Sequence, residues 1–261
     1  MKSLYQFNSL LEEKALLHAV SKKHRNEEYF FSQALHTGED SQTIVQNRDK
    51  LYKAILLDTK VNIPLLFVVA NQTHSNNVTV IDTQHSQGWQ SLGSAIKNCD
   101  ALVSNQLGVV LTILTADCVP LILYDPIQKV VAAIHAGWKG TKEKIVLHTI
   151  SVMKEQFLTD PINIKVGIAP AIGKCCYEVG EDVALHFFDY PQHLDKKDDK
   201  YMLDLPNINK EQLLVAGVLE ENIDMSRICT ACTVDEYFSY RKEGGCTGRF
   251  MSMIGLLPPL C

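Results

Sequence analysis

The stretch from Thr112 to Thr141, TILTADCVPLILYDPIQKVVAAIHAGWKGT, constrains the fold more than any other part of the chain. Two apolar runs rich in β-branched residues, Val119–Tyr124 and Val130–His135, flank the segment Asp-Pro-Ile-Gln. Asp-Pro followed by polar residues is typical of a turn, because proline presets φ and cannot continue a central strand. The stretch therefore predicts a β-hairpin.

The register of this hairpin bears on function. A symmetric hairpin centred between Pro126 and Ile127 places Cys118 opposite His135. Facing Cβ atoms in a ladder lie about 4.5–5.5 Å apart. That separation suits two ligands of one zinc ion, since Zn–S bonds measure about 2.3 Å and Zn–N bonds about 2.0–2.1 Å. A slip by one residue would instead put the two side chains on opposite faces of the sheet.

The residues after the second strand predict an anion site. The segment Ala-Gly-Trp-Lys-Gly-Thr precedes a helical pattern over Lys142–Phe157, with Thr141 as its expected N-cap. Gly137 and Gly140 let the backbone approach a ligand closely. A glycine-containing turn that opens a helix offers free N–H groups to an anion, and Lys139 adds a positive charge here. A metal position and a phosphate position would then lie a few residues apart.

The composition of the chain narrows the classes of partner. Its 261 residues suffice for one large domain or two small ones, and 46 % hydrophobic with 21 % charged residues is typical of a soluble globular protein. A formal charge of −5 gives no support to nucleic-acid binding, which usually needs a basic surface. No run reaches the ~18 apolar residues that suggest a membrane span.

The N-terminal stretch and the cysteines indicate the compartment. Glu12, Glu13 and Lys14 interrupt the apolar core that a signal peptide would need. Eight cysteines without a secretory signal favour reduced thiols over a disulfide framework. We therefore expect a cytoplasmic protein.

The remaining pattern mixes strands and helices. Strands are predicted over Ile63–Ala70, Val78–Ile81, Cys99–Val103, Val109–Thr115 and Ile162–Ile168, and helices over Gln42–Leu57, Lys142–Phe157, Gly180–Phe188 and Asn209–Leu219. Pro191–Lys200 is predicted to be a charged surface loop. Because strands outnumber helices and do not alternate cleanly with them, we expect an α+β fold with mixed sheets and outer helices.

Several side chains outside the hairpin have both a functional and a structural interpretation. His74 follows a buried strand, where a ligand would be well placed, although a surface histidine is commoner. Arg48 lies on a predicted helix face, where most arginines are solvated. Cys175–Cys176 and the single Cys-x-x-Cys at Cys229–Cys232 are weak metal signals, and we interpret all four as structural thiols.

The C-terminal region predicts a basic pair. Phe238–Arg241 and Thr247–Met253 have the pattern of two strands joined by a turn, which would bring Arg241 near Arg249. Paired guanidiniums bind phosphate well, because each presents a planar fork of donors.

Seven motifs of the chain occur together in one known family. They are Asn71–His74 (NQTH), Cys99–Val103 (CDALV), Thr115–Pro120 (TADCVP), His135–Gly140 (HAGWKG), Gly167–Gly173 (GIAPAIG), Cys176–Val179 (CYEV), and Phe238–Arg241 with Thr247–Arg249 (FSYR and TGR). With these motifs the chain resembles the YfiH family, whose members are also called laccase-domain or polyphenol-oxidase proteins. The resemblance extends over roughly residues 15 to 257, and TADC with HAGWKG is its most specific part.

The resemblance implies a fold, a site and an activity. It implies a zinc site of His74, Cys118 and His135 in one domain over residues 1–261, built as a four-layer α/β/β/α sandwich. It also implies phosphorolysis of adenosine, inosine, guanosine and methylthioadenosine, together with adenosine deamination. Older assignments describe copper laccases, and one bacterial member has been linked to peptidoglycan editing. The expected partners are a nucleoside and phosphate, with a homodimer as the candidate assembly, and neither nucleic acid nor membrane.

Two departures from the family pattern concern basic residues. The family usually has Ser-Thr-Arg-x-Gly-Gly near the N-terminus, whereas this chain has Ser21–Asn26, with Lys23 in place of the arginine. If that segment contacts substrate, substrate choice differs here. Lys139 stands where arginine is usual, which keeps the charge but loses the bidentate fork.

The expected roles follow from this site. Three protein ligands leave a fourth zinc position open, as in catalytic sites. Asp117 is expected to orient a ligand or act as a base, and Arg48 to take part in catalysis. The residues expected to bind substrate or phosphate are Gln72, Lys139, Gly140, Tyr240, Arg241 and Arg249.

Three alternatives stay open. A facing Cys118 and His135 could form a metal-free thiol hydrolase. A His₂Cys set also suits copper, but nine scattered histidines without a His-x-His pair are unlike a multicopper oxidase. The third alternative is a binding module with a structural metal. The sequence does not rank phosphorolysis against deamination.

Overall fold

The computed structural model describes residues 4–59, 64–245 and 248–258. The helices in these ranges are α1 (Ser41–Thr59), α2 (Trp138–Lys142), α3 (Ile145–Phe157), α4 (Glu181–Ala184) and α5 (Leu205–Val215). The strands are β1 (Leu4–Tyr5), β2 (Leu16–Ser21), β3 (Leu66–Asn71), β4 (Val78–Val80), β5 (Ile96–Lys97), β6 (Ala101–Ser104), β7 (Val109–Thr115), β8 (Val119–Asp125), β9 (Val130–Ala136), β10 (Lys165–Ile168), β11 (Glu178–Val179), β12 (Leu194–Lys197), β13 (Lys200–Leu203), β14 (Ile223–Met225) and β15 (Phe250–Leu256).

Two six-stranded mixed sheets form the centre of the molecule. The first has the strand order β1-β2-β15-β7-β3-β5 and the second β14-β10-β8-β9-β6-β4. Each sheet combines parallel and antiparallel pairs, for example β3 parallel to β7 and β8 antiparallel to β9. Strands β7, β8, β9 and β15 are buried along their whole length. Their near-continuous apolar sequences are those of strands covered on both faces.

The two sheets pack face to face, and helices cover their outer faces. Along β8, Ile122 faces the other sheet while Leu121 and Leu123 face the helices, because successive strand side chains alternate between the faces. Helix α1 packs on the outer face of the first sheet through Leu51 and Ile55. Helices α3 and α5 cover the second sheet. These layers confirm the expected single-domain α/β/β/α sandwich with mixed sheets.

The predicted hairpin is confirmed, but its register differs from the predicted one by two residues. His135 lies opposite Pro120, and the last ladder pair is Asp125 with Val130. The reason is a longer turn than predicted: Oδ1 of Asp125 accepts from the N–H groups of Ile127 at 2.8 Å and Gln128 at 3.1 Å. A shift of two residues preserves the faces, so Cys118, just before β8, lies diagonal to His135 and on the same side.

The segment after β9 differs from the prediction. Helix α2 already begins at Trp138, and a left-handed Lys144 (φ 58°) separates it from α3. Thr141 is therefore not an N-cap. It is buried inside α2, where its hydroxyl accepts a hydrogen bond from Nδ2 of Asn209 at 3.0 Å.

Other predicted elements have different bounds. The strand pattern that began at Ile63 has its first residue outside the described ranges, and β3 begins at Leu66. The charged segment 191–200 is not a loop throughout, because β12 and β13 form a hairpin there. Helix α5 begins before Asn209, since Asp204 caps it by accepting from the N–H of Asn207 at 3.2 Å.

The predicted pair of C-terminal strands is reduced to one. Residues 230–236 and 240–245 form turns, and β15 begins at Phe250. Residues 246 and 247 lie outside the described ranges. Among the described residues, none of the helices combines the length and hydropathy needed to span a bilayer.

Candidate metal centre

Three side chains that the sequence analysis named as ligands meet at one end of the two sheets. His74 follows β3, Cys118 lies between β7 and β8, and His135 is near the end of β9. Their ligand atoms all lie within 4.8 Å of one another, and Cys118 Sγ is 3.8 Å from His74 Nε2. Ligand atoms on a tetrahedral zinc ion are roughly 3.3–3.6 Å apart at usual bond lengths. The three side chains thus form a group that could hold a metal ion.

Asp100 orients two of these three ligands. Its buried carboxylate accepts a hydrogen bond from His135 Nδ1 at 2.8 Å, which leaves Nε2 for a metal. It also accepts from the backbone N–H groups of Thr73, His74 and Ser75 at 3.2, 3.0 and 2.7 Å. The turn that carries His74, which has a φ of 60°, is therefore held by the same carboxylate. Such carboxylate–histidine pairs are usual behind metal ligands.

The hydrogen bonds explain why this buried carboxylate is charged. Burial by itself raises the pKa of Asp100, but the hydrogen bonds from His135 and Ser75 and the charge of His135 outweigh it and lower the pKa. Asp100 was not among the predicted site residues. The available signal was a carboxylate next to the wholly apolar run Ala101–Val103, where an unpaired charge would be costly.

Cys118 and His135 carry opposite charges in the metal-free protein. Burial raises the pKa of the Cys118 thiol, but the charge and hydrogen bond of His135, together with His74, lower it to about 6. Burial lowers the pKa of His135, but Cys118 and Asp100 raise it to about 9. At pH 7 the sulfur is therefore a thiolate, the form that binds metal.

In chelator-treated protein, the rate of Cys118 alkylation by iodoacetamide should rise as pH increases through about 6 and level off above pH 7. An ordinary thiol, with a pKa of about 8.5, would still gain reactivity tenfold per pH unit there. Zinc should slow the labelling at pH 7 at least about tenfold, because the metal occupies the sulfur. Peptide mass spectrometry with a Cys118→Ala control measures this. A rate that keeps rising steeply to pH 8 would contradict the ion pair.

The shape of the centre also fits a metal with these ligands. At Gly137 an added Cβ would lie 3.0 Å from His74 Cδ2 and 3.1 Å from Cys118 Sγ, so any larger residue would crowd the two ligands. Two imidazoles and one thiolate are a donor set that zinc accepts. The group also faces open space, where a fourth ligand could enter.

That space is a cavity of about 560 Å³, within the range of sites for small organic ligands. Its walls are His36, Gln72, His74, Leu114, Thr115, Ala116, Asp117, Cys118, His135, Trp138, Ile172, Tyr177, Leu205, Tyr240, Arg241 and Arg249. The wall thus combines the three candidate metal ligands with aromatic rings and two guanidiniums.

Asp117 lines the cavity as a positioning residue. Its Oδ1 accepts from Thr230 Oγ1 at 2.6 Å, and its Oδ2 accepts from the N–H of Arg241 at 2.7 Å. Its carbonyl accepts from the N–H of Ile172 at 2.9 Å. Asp117 therefore ties two cavity loops to the residue before Cys118. Because both carboxylate oxygens of Asp117 accept hydrogen bonds, the geometry favours a positioning role over the predicted role as a general base. The other role predicted for Asp117, orienting a metal ligand, is one that Asp100 fulfils through its contact with His135.

The position of Arg48 gives no support to its predicted catalytic role. Arg48 is only 1 % exposed and does not line the cavity. Its guanidinium donates to the carbonyl oxygens of Gln33, Gly88 and Trp89 at 2.5–2.9 Å. Arg48 therefore joins α1 to two loops, and its donors are used by the fold.

Gln72 lines the cavity, but its amide is bound to the backbone. Its Nε2 donates to the carbonyl of Leu114, and its Oε1 accepts from the N–H of Leu114, each at 2.8 Å. This pair extends the contact between β3 and β7 beyond the last ladder residue. The Gln72 amide keeps one N–H and one oxygen lone pair for a further contact in addition to this pair.

The predicted anion site around Lys139 and Gly140 is not part of the cavity wall. Lys139 Nζ lies 5.6 Å from the centre of the Trp138 ring. Gly140 is buried, and an added Cβ would lie 3.1 Å from the carbonyl oxygen of Ser75. Gly140 thus permits α2 to pack against the turn that carries His74, which is a structural use of the glycine.

The other predicted contacts do reach the cavity. Tyr240, Arg241 and Arg249 all line it. Arg241 lies 5.4 Å from the Tyr177 ring centre and donates to the carbonyl of Glu178 at 2.7 Å. Arg249 lies 5.7 Å from the Tyr240 ring centre. Two positively charged side chains therefore line the same cavity as the candidate metal ligands.

His36 is a cavity residue that sequence reasoning missed. Loss of solvent around its ring and then the charges of Arg249 and Arg48 lower its pKa to about 4. The ring is therefore neutral at pH 7 and can donate at one nitrogen and accept at the other. No local motif marks it, because it lies in an irregular segment that only the fold brings to the cavity.

The altered N-terminal segment packs behind the cavity. Lys23 Nζ binds Glu243 Oε1 at 2.6 Å and the carbonyl of Val234 at 3.0 Å. It also lies 4.8 Å from the centre of the Phe238 ring. Lys23 does not line the cavity but supports the loop that carries Arg241. Lys23, which replaces the usual arginine of the family, therefore contacts the loop that carries Arg241 and not the cavity.

The fold and the site define a class of protein: an α/β/β/α sandwich with a His-Cys-His group open to a cavity. Residues 19–257 match the family model described as multi-copper polyphenol oxidoreductase laccase. The chain therefore belongs to this family, the YfiH family of the sequence resemblance.

Three known proteins illustrate the similarity. A protein of Bacteroides thetaiotaomicron named purine nucleoside phosphorylase is 34 % identical over 226 residues, which cover 84 % of this chain and 82 % of the relative. A protein of an unknown prokaryotic organism named adenosine deaminase is 35 % identical over 191 residues, which cover 70 % and 72 %. The crystal structure of YlmD from Geobacillus stearothermophilus superposes with a TM-score of 0.90 at 28 % identity, covering 98 % and 97 %.

Proposed function

We propose that this protein is a zinc-dependent purine nucleoside phosphorylase acting on adenosine, inosine, guanosine and methylthioadenosine, with adenosine deamination as a second activity. The observation that carries the proposal is that one cavity joins the His-Cys-His group to the guanidiniums of Arg241 and Arg249. The names of the relatives support it, since they include both a phosphorylase and a deaminase.

The two arginines are the proposed phosphate contacts. In phosphorolysis a phosphate oxygen forms a bond to C1′ of the ribose while the bond from C1′ to the purine nitrogen breaks. The products are ribose 1-phosphate and the free base. Arg241 and Arg249 can each bind phosphate oxygens through a planar fork. The rings of Tyr177 and Tyr240 lie against these guanidiniums and limit their motion.

The aromatic residues are the proposed nucleoside contacts. Trp138, Tyr177 and Tyr240 line a cavity large enough for a nucleoside. Their rings offer apolar faces to a purine, and stacked or edge contacts between aromatic groups are favourable. Neutral His36 can hydrogen-bond to a sugar or base without adding charge.

His74, Cys118 and His135 would hold the zinc ion. Bound there, zinc would supply a Lewis acid with an open coordination position. Asp100 fixes the ring of His135 and the turn of His74, so both imidazoles are oriented before metal binding. We favour zinc over copper because, within the described ranges, this is the one candidate metal group that contains histidine, whereas a multicopper enzyme needs several. The homodimer stays a prediction.

A Cys-His thiol hydrolase is the second candidate. The lowered pKa of Cys118 and the contact from His135 to Asp100 give a thiolate, an imidazolium and an orienting carboxylate in sequence. Hydrolysis by such a group needs no metal and no His74. Activity that survives both a chelator and His74→Ala would favour it, including hydrolysis of peptidoglycan fragments.

The test is adenosine turnover by metal-quantified protein with and without phosphate, with adenine, inosine and hypoxanthine separated. We expect adenine only with phosphate, and inosine in either condition. Arg241→Gln and Arg249→Gln should each raise the phosphate KM at least about tenfold, because a hydrogen bond to a charged group contributes about 1.5–3 kcal/mol. Arg25→Gln is a matched control, since Arg25 is exposed and paired with Asp235.

Three results would contradict the proposed function or its phosphate site. Adenine formed at the same rate without phosphate would indicate a hydrolase. An unchanged phosphate KM in both arginine variants would remove the proposed phosphate site. Zinc-loaded protein that yields no product from any of the four nucleosides would exclude the nucleoside function and leave the thiol hydrolase.

A further inference from the structure

A second group of sulfur ligands lies outside the histidine-containing centre. Cys175 and Cys176 follow β10, and Cys229 and Cys232 follow β14. Their four sulfur atoms all lie within 4.8 Å of one another. All four were predicted to be structural thiols without a shared site, but the fold brings them together.

The backbone explains why two distant segments meet here. Strands β10 and β14 are adjacent and parallel, so their carboxyl ends point to the same edge of the second sheet. The pairing continues as a bridge between Ala171 and Cys229, and Thr230 N donates to the carbonyl of Ala171 at 3.0 Å. Cys232 N donates to the carbonyl of Cys229 at 3.1 Å, which closes the Cys-x-x-Cys turn. Backbone contacts therefore bring the Cys229–Cys232 turn beside the segment that follows β10.

The distances between the sulfur atoms fit one zinc ion. Cys232 Sγ lies 3.6 Å from Cys175 Sγ and 3.4 Å from Cys176 Sγ. Two sulfur atoms on a tetrahedral zinc ion, with Zn–S bonds of about 2.3 Å, are roughly 3.8 Å apart. A disulfide would need about 2.05 Å. The thiols are thus grouped around a point and not joined in pairs.

The local polar contacts suit thiolate ligands. Gly173 N donates to Cys229 Sγ at 3.3 Å, and such hydrogen bonds to a coordinating atom orient it and tune its charge. An added Cβ at Gly173 would lie 3.4 Å from Cys229 Cβ and 3.5 Å from Cys175 Sγ. The close approach of the two loops therefore depends on a small residue at this position.

We propose that Cys175, Cys176, Cys229 and Cys232 form a second, structural zinc site with four thiolate ligands. Four protein ligands close the coordination sphere, as in structural and not catalytic zinc sites. Thiolate ligands also favour zinc over the oxygen-seeking cations magnesium and calcium.

The site ties together two loops of the cavity wall. Tyr177 directly follows Cys176, and the turns after Cys232 lead to Arg241. The Arg241 guanidinium lies 5.4 Å from the Tyr177 ring centre. Zinc bound to the four thiolates would stabilise the contact between Arg241 and Tyr177 without touching the reacting groups.

The test is zinc content of protein purified under reducing conditions, measured by mass spectrometry of the intact metal-loaded chain. We expect two zinc ions per chain in the wild type, one for each candidate group. Cys118→Ala and the double variant Cys175→Ser/Cys232→Ser should each retain one. Cys99→Ala is the matched control with two, because Cys99 belongs to neither group.

X-ray absorption of the Cys118→Ala protein identifies the remaining ligands without a cysteine variant of the second site. The spectrum should fit four sulfur neighbours at about 2.3 Å. Nitrogen or oxygen neighbours, Cys118→Ala protein without zinc, or two disulfides within the group would overturn the proposal. If Cys118→Ala does not fold, cobalt titration of metal-free wild type decides. The proposal requires the intense charge-transfer absorption of a tetrathiolate complex, and its absence would overturn it.

Discussion

Cys118→Ala should lose one zinc ion per chain and lower kcat/KM for phosphate-dependent adenosine cleavage at least about a thousandfold. The reason is that Cys118 is the thiolate of the His-Cys-His group and lies within 3.8 Å of His74 Nε2. Loss of a bound Lewis acid removes several kcal/mol of transition-state stabilisation, and about 4 kcal/mol corresponds to a thousandfold in rate. Metal analysis and initial rates on the same preparations measure both effects.

Cys99→Ala is again the control for this prediction. Cys99 is buried like a core residue and belongs to neither candidate metal group, so zinc content and kcat/KM should stay near the wild-type values. A Cys118→Ala enzyme that lacks this zinc but keeps more than a tenth of the activity would show that neither the metal nor the thiolate takes part. That result would also exclude the thiol hydrolase as the source of the activity.

Asp100→Asn should weaken zinc binding roughly 10–100-fold, which is typical when the partner behind a metal-bound histidine is changed. The carboxylate accepts from His135 Nδ1 and from three successive backbone N–H groups of residues 73–75. An amide of the same shape carries two donors where acceptors are needed, so at least one buried donor loses its partner. We also expect a loss of about 1–3 kcal/mol in the free energy of unfolding.

The pH dependence separates the charge of Asp100 from its shape. Because the folded protein lowers the pKa of Asp100, its stabilisation is present above the unfolded pKa of about 3.9 and is lost as pH falls below it. Wild-type and Asp100→Asn protein should therefore differ in stability at pH 7 and converge in acid. Denaturant unfolding at several pH values measures this.

Asp125→Asn is the matched control for Asp100. Asp125 is equally buried and also accepts from backbone N–H groups, but it does so in the turn between β8 and β9. It should leave zinc affinity unchanged. If both variants lower zinc affinity equally, the effect of Asp100→Asn comes from general destabilisation and not from its contact with His135.

The local sequence was sufficient where the fold depends on patterns within a few residues. The strand Val109–Thr115 has the predicted bounds, and the hairpin that follows it was recognised from apolar runs on both sides of Asp-Pro. The register of the hairpin was predicted wrongly by two residues, because it depends on how the Asp125 side chain caps the turn. The prediction that Cys118 and His135 lie on the same side of the sheet still holds, since a shift of two residues leaves side chains on the same face.

Residue roles were predicted less well than residue positions. Arg48 and Gln72 were expected at the substrate, yet their polar atoms bind backbone groups of other segments. The type of a side chain shows which hydrogen bonds it can form. Which partners it has is not evident from the sequence, because Gln33 lies 15 residues from Arg48 and Leu114 lies 42 residues from Gln72. Lys139 and Gly140 lie outside the cavity wall for a related reason, because the helix starts earlier than the N-cap pattern indicated.

Short-range periodicity was enough to predict an α+β fold with mixed sheets and the hairpin, because these depend on residues close together in the chain. The family motifs implied the α/β/β/α layering and the His-Cys-His group. The folded chain alone shows that Asp100 supports two candidate ligands, that His36 lines the cavity and that four cysteines meet beyond β10 and β14. These contacts join residues far apart in the chain. They depend on which strands are neighbours and in which direction they run, and no local pattern encodes that order.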